Sequence, residues 1–146
     1  MSIIRRIFKL FFKRRAKIQS EKVLLECLRS FTNHGSEEIS LPEILDSILY
    51  LKQRLPLDYE FSRDVLYSDK LFSHMSELEE NGYIRRYIYT HDGLLPTSYV
   101  TLTMLGRGHA QKTAQELNQP TLSLIDQAVE TSMDRHKEYW RLYPRI

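Results

Sequence analysis

The sequence predicts a mainly α-helical protein with one small β-hairpin. Apolar residues recur at spacings of three and four in several stretches, and these stretches are bounded by Ser, Thr, Gly or Pro. Residues 83–90 are instead rich in Tyr and Ile, and a second β-favouring run follows at 99–103. His91-Asp92-Gly93 between these runs is typical of a turn. The chain of 146 residues has a single cysteine and no apolar run near the ~20 residues of a membrane span.

The charged residues are distributed unevenly along the chain. Residues 3–17 contain seven of the 21 Lys and Arg residues and none of the 19 Asp and Glu residues. The remaining residues therefore carry 14 basic and 19 acidic side chains, a net charge of −5, although the whole chain has +2. The sequence thus divides into a basic N-terminal segment and an acidic body.

The basic segment, residues 1–18, contains a predicted amphipathic helix over 3–17. Four roles are open for it. It could pack on its own domain or a dimer partner, lie on an anionic membrane surface, follow a nucleic-acid backbone, or serve as a targeting peptide. The residues expected to contact a membrane or phosphates are Arg5, Arg6, Phe8, Lys9, Phe11 and Lys13.

Two helices are expected in the first part of the body. The first begins at Ser20, a favourable N-cap, and ends near Gly35. The second begins at Ser40 and Glu43, which have the spacing of a capping box, and closes before Pro56. Residues 61–67 are expected to form a short helix or turn.

A third helix leads into the hairpin. Ser68 is its expected N-cap, and Leu71, Phe72, Met75 and Leu78 form its inward face. Asn81-Gly82 ends it, since glycine allows the left-handed turn from helix into strand. After the two strands, Thr103 is expected to cap a helix that runs to about residue 118.

The segment 68–110 resembles winged helix-turn-helix proteins of the MarR and PadR type. In those proteins a recognition helix ends in Leu-x-x-x-Gly-(Tyr/Leu)-Ile, a two-stranded wing follows, and Leu-Thr-x-x-Gly-(Arg) opens the next helix. The matching residues are Leu78, Gly82, Tyr83, Ile84, Leu102, Thr103, Gly106 and Arg107. The resemblance implies a winged-helix domain over 20–118, flanked by N- and C-terminal helices, and double-stranded DNA as a partner.

The charge of the expected recognition helix argues against strong DNA binding. Residues 68–81 contain one Lys and four acidic residues, a net charge of −3. On the DNA-binding interpretation, Lys70, Ser73 and His74 face the bases, while Arg85, Arg86 and Arg107 contact phosphates.

A last helix is expected over 121–143. Leu122, Ile125, Val129, Met133, His136 and Trp140 form an apolar stripe along it. In the regulators that the chain resembles, helices outside the wing often form a two-fold dimer. A homodimer is therefore expected, the alternative being that the stripe covers its own core.

No pattern in the sequence indicates an active site, a cofactor or a metal, so a non-enzyme is expected. Cys27 lies on an apolar helical face, which favours a buried structural thiol. Asp126, Glu130 and Asp134 recur every four residues, as on a solvated helix edge. The five histidines show no metal-ligand spacing: His34, His74, His91, His109 and His136.

Two functions remain open. One is a DNA-binding transcriptional regulator of winged-helix type. The other is a winged-helix module that binds a protein partner and docks at a membrane surface through its first helix. Either protein is expected to be cytoplasmic, and the second would be peripheral at the membrane.

Overall fold

The computed structural model describes residues 20–62, 68–90 and 96–142, without the side chains of residues 138–142. The helix predicted over 3–17 and the turn at 91–93 lie outside the described residues. In the described part, helix α1 covers residues 20–33 and is followed by strand β1 (Ile39–Ser40) and helix α2 (Leu41–Lys52). Next come α3 (Asp69–Glu80), β2 (Ile84–Tyr89), β3 (Thr97–Leu102), α4 (Met104–Ala114) and α5 (Gln119–Leu142).

The three strands form one antiparallel sheet in the order β1-β3-β2. Ile84 pairs with Leu102 and Tyr89 with Thr97, so β2 and β3 form the predicted hairpin in full register. The two-residue β1 pairs with β3 through Ile39 and Val100. The fold is thus mainly helical with a small hairpin wing, as the sequence predicts.

Local capping signals begin three of the helices where the sequence places them. Ser40 and Glu43 form a complete capping box at α2. The Ser68 side chain accepts from the Leu71 N–H at α3, and the Thr103 side chain accepts from the Gly106 N–H at α4. Each hydrogen bond links residues three apart, which is why the sequence identifies it.

Glycine ends α1 and α3 by the same mechanism. Gly82 has φ +78°, and the Tyr83 N–H donates to the Leu78 carbonyl at 2.9 Å. Gly35 has φ +91° and a matching bond from the Ser36 N–H to the Phe31 carbonyl at 2.9 Å. Both are left-handed helix ends, which favour glycine.

Three details of the predicted elements are wrong. Ser20 is already helical and its Oγ accepts from the Asp58 N–H at 2.7 Å, so it is not the N-cap of α1. Helix α4 ends at Ala114 rather than near residue 118. Pro120 lies in the first turn of α5 and does not delay the helix to Thr121, because a first-turn residue needs no backbone N–H.

The core lies between the sheet and helices α1, α2, α3 and α5. Phe31, Ile48 and Met75 are among its fully buried side chains. Cys27 is buried there as well, which confirms the expectation of a buried thiol, and this burial raises its pKa. Helix α5 packs on α2, where the Ser132 hydroxyl donates to the Glu43 carbonyl at 2.7 Å.

Candidate interaction surface of the third helix and the wing

Helix α3 presents an acidic and neutral face to solvent. Leu71, Met75 and Leu78 anchor it in the core, as the sequence predicts. Phe72, also predicted to face inward, is only partly buried. The exposed residues of α3 are Asp69, Ser73, Glu77 and Glu80. Of the three predicted base-contacting residues, Ser73 is thus exposed, Lys70 is partly buried and His74 is buried.

His74 faces the interior, so its predicted outward orientation is wrong. Its side chain is 9 % exposed, and its Nδ1 lies 2.7 Å from the hydroxyl of Tyr59. The Tyr59 hydroxyl donates to the Ser20 carbonyl at 3.0 Å, so Nδ1 carries the hydrogen that Tyr59 accepts. The inward orientation of His74 results from tertiary packing. The segment between α2 and α3 brings buried Tyr59 against α3 and encloses His74, which the helical period alone would leave outside.

Lys70 is engaged within its own domain. Its ammonium group forms an ion pair with the Asp58 carboxylate, and both side chains are a little over one-third exposed. Contact with a DNA base or phosphate would require Lys70 to exchange this carboxylate for a new partner. The positive charge of Lys70, the one Lys or Arg residue of α3, is therefore partly neutralised by Asp58.

Arg86 is held on α3 in the same way. Its Nη2 donates to Glu79 Oε1 at 2.9 Å and to Ser76 Oγ at 3.2 Å, and its Nε donates to Glu79 Oε1 at 3.2 Å. The Arg86 backbone N–H donates to the other carboxylate oxygen of Glu79 at 3.0 Å. These hydrogen bonds hold the pKa of Glu79 below its usual range. The network ties the first strand of the wing to α3.

The other two predicted phosphate contacts are exposed. Arg85 points to solvent from β2. Arg107 is exposed on α4 and comes only within 3.7 Å of the Glu37 carboxylate. Met104 and Leu105 lie close in sequence to Arg107 and are 90 % and 61 % exposed. A groove of about 830 Å³ is lined by Arg85, Met104 and Leu105 among others.

A second, apolar cleft lies between α3 and the wing, and it shares Glu79 and Arg86 with this groove. We call it the α3–wing cleft; its volume is about 300 Å³. Ile88, on the same side of β2 as Arg86, is 71 % exposed at this cleft, and the Glu79–Arg86 pair also lines it. The lining residues are Leu41, Phe72, Met75, Glu79, Arg86, Tyr87, Ile88, Ser98, Tyr99 and Val100. This cleft was not predicted from the sequence, although Ile88, the second isoleucine of β2, was a possible signal.

The apolar stripe of α5 packs against the core of its own chain. Ile125 and Val129 have no exposed surface, and Leu122 and Met133 are partly buried against the core. His136 bonds to Asp46 of α2, with Nε2 and Oδ2 2.7 Å apart. The side chain of Trp140 lies outside the described set. The stripe thus covers its own core where it is described, and the homodimer stays a prediction for sedimentation at micromolar concentration to test.

The N-terminal residues predicted to contact a membrane or phosphates lie outside the described residues. None of the helices in the described part of the chain is long and apolar enough to cross a lipid bilayer. A comparison with models of known protein families finds none that matches the chain, and a comparison with curated proteins finds no significant match.

Proposed function

We propose that the protein is a non-enzymatic winged-helix module that binds a protein partner at the α3–wing cleft. One observation carries the proposal. Where a DNA-binding winged helix needs free cations, Lys70 and Arg86 are paired with carboxylates, while Ile88, in the cleft that Arg86 lines, is 71 % exposed. The surface is therefore suited to apolar contact rather than to phosphate.

The charges of α3 oppose insertion into a DNA groove. Glu77 and Glu80 are exposed on the helix and would lie near phosphates in such a complex. DNA affinity depends on the number of phosphates that the protein neutralises. Freeing Lys70 or Arg86 for that purpose would leave Asp58 or Glu79 as a further negative charge near the DNA. The net contribution of either cation is therefore small.

The cleft has the composition of a protein-binding site. Apolar side chains line its interior, and the Arg86–Glu79 pair lies beside them. Covering an exposed Ile side chain contributes about 1.5–3 kcal/mol. Such a residue within a ring of polar contacts is typical of an interface centre. The partner would present an apolar side chain to Ile88 and polar groups to Arg86 and Glu79.

Site-specific photo-crosslinking in the source cells tests the proposal. A photoreactive amino acid is placed at position 88, and a control is placed at Gln127, which is exposed on α5. We expect a discrete protein adduct from position 88 and none from position 127. An adduct with a second copy of the chain would identify the partner as the protein itself. Equal adducts from both positions, or no protein adduct from position 88, would refute the proposal.

The second candidate is the DNA-binding regulator. The winged-helix-like fold and the exposure of Arg85 and Arg107 favour it. In this case the wing and the start of α4 would supply the phosphate contacts, with Ser73 available to the bases. Fluorescence anisotropy with labelled duplex DNA, measured at physiological salt and at several lower salt concentrations, decides between the candidates.

At physiological salt, the proposed protein-binding module should show no DNA binding tighter than the non-specific range of about 10⁻⁴–10⁻⁶ M. Tighter binding with a salt dependence that falls in Arg85→Ala would support the regulator instead.

A cytoplasmic location and membrane docking by the first helix belong to the proposal as predictions from the sequence.

A further inference from the structure

A histidine and two carboxylates from distant parts of the sequence meet on the surface between α1 and α5. His34 lies in the turn after α1, and Asp126 and Glu130 lie one turn apart on α5. His34 Nε2 is 2.9 Å from Asp126 Oδ1 and 3.9 Å from Glu130 Oε1. All three ligand atoms lie within 4.8 Å of one another. Within residues 20–62, 68–90 and 96–142, no other group of three such side chains has this geometry.

These distances suit a shared metal ion. In a tetrahedral zinc site with bonds of ~2.0–2.1 Å, the ligand atoms are about 3.3–3.4 Å apart. The two contacts of His34 lie on either side of that value, so small side-chain rotations would bring the three atoms to a common ion. We propose that His34, Asp126 and Glu130 bind a divalent first-row transition-metal ion. This site is separate from the α3–wing cleft and does not depend on the proposed function.

A neighbouring hydroxyl holds one of the ligands in place. The Ser30 Oγ donates to Asp126 Oδ1 at 2.9 Å. Outer-shell hydrogen bonds of this kind orient a metal-binding carboxylate.

The ligand set favours a transition metal over calcium or magnesium. Imidazole nitrogen binds zinc, nickel and copper well, whereas calcium and magnesium prefer all-oxygen sites with more ligands. The ligand side chains are 32 % exposed for His34, 54 % for Asp126 and 58 % for Glu130. Water therefore has access to the remaining coordination positions. A bound ion would join α5 to α1 across the surface of the domain.

Titration calorimetry with zinc chloride on the untagged full-length chain tests the site. We expect one ion per chain, and we expect His34→Gln to weaken binding by at least about 100-fold, more than an outer-shell loss does. His136→Gln is the matched control. His136 makes a similar contact with Asp46, but it belongs to no group of three ligands among the described residues. This control should keep the affinity of the parent protein.

A second variant and a spectroscopic measurement separate ligation from folding. Glu130→Gln should also weaken zinc binding, and it should change the fold little because the contact of Glu130 with His34 is long. Cobalt bound to the parent chain should give d–d bands that are lost in His34→Gln. Parent protein that binds no zinc at micromolar concentration would overturn the proposal. Equal losses in His34→Gln and His136→Gln would also overturn it, since they would indicate non-specific binding by histidines.

Discussion

Replacing Gly106 by alanine should strongly destabilise the fold. Gly106 lies in the first turn of α4, against the backbone of Tyr83 between α3 and β2. A Cβ atom at this position would stand 1.8 Å from the Tyr83 carbonyl oxygen and 2.7 Å from its carbon. Cβ atoms essentially never come within 3.0 Å of such neighbours. The obstacle is backbone, so α4 and residue 83 must separate by about 1 Å or more.

The expected cost follows from the contacts that such a separation would break. The Thr103 N–H donates to the Tyr83 carbonyl at 3.0 Å, and the Thr103 hydroxyl donates to the Gly82 carbonyl at 2.6 Å. Two lost hydrogen bonds cost about 1 kcal/mol each, and overpacking adds about 1–3 kcal/mol. The higher helix propensity of alanine offsets less than about 1 kcal/mol of this loss in the free energy of unfolding. We therefore expect a loss of about 2–4 kcal/mol in the free energy of unfolding.

Gly108 provides a matched control on the same helix. A Cβ atom at Gly108 would meet nothing within 4 Å. Gly108→Ala should therefore stabilise the protein by about 0.5–1 kcal/mol through helix propensity alone. Urea unfolding followed by circular dichroism compares the two variants, and Gly106→Ala should lower the midpoint by roughly 1–2 M. A stability of Gly106→Ala within about 1 kcal/mol of the parent protein would refute the close-approach argument.

Three further predictions concern other parts of the chain. Because Cys27 is buried and its pKa is raised, an alkylating reagent should label it only after denaturation, and rapid labelling of the native protein would contradict this. Because the native pKa of Glu79 is lowered, its stabilising effect is present above pH ~4.5 and is lost as the pH falls through the native pKa. The stability difference between the parent and Glu79→Gln should therefore shrink on acidification, and a constant difference would contradict the role of Arg86. If the first helix lies on a membrane, Phe8→Glu should abolish co-sedimentation with anionic liposomes and leave the melting temperature unchanged; undiminished co-sedimentation would argue against that role.

Much of the fold follows from signals within a few residues of one another. Ser40 with Glu43, Ser68 with Leu71, and Gly82 with its helix end each act over one helical turn. The hairpin likewise depends on two neighbouring strands and a short connection. Gly106 is the glycine of the Leu-Thr-x-x-Gly pattern at residues 102–106, and the structure gives a physical reason for a glycine at this position.

The partners of the charged residues could not be predicted in this way. Arg86 bonds to Glu79 only because the wing folds back on α3, and Lys70 meets Asp58 only because the preceding segment passes beside it. Counting charges over α3 gave the correct sign for the net charge of the helix, but it could not show that Lys70 forms an ion pair with Asp58. Strand β1 was missed for a similar reason. Two residues show no period, and they form a strand only through pairing with Val100 and Tyr99.

The sequence alone determined the helices, the N-caps of α2, α3 and α4 and the hairpin, because backbone hydrogen bonds and side-chain periodicity act over a few residues. The tertiary structure alone decided which polar side chains are free to bind. It turned His74 inward against Tyr59 and left Ile88 exposed at a cleft. It also brought His34 to Asp126, 92 residues away. These outcomes depend on how separate elements pack, and a helical or strand period within one element carries no information about the neighbour that covers it.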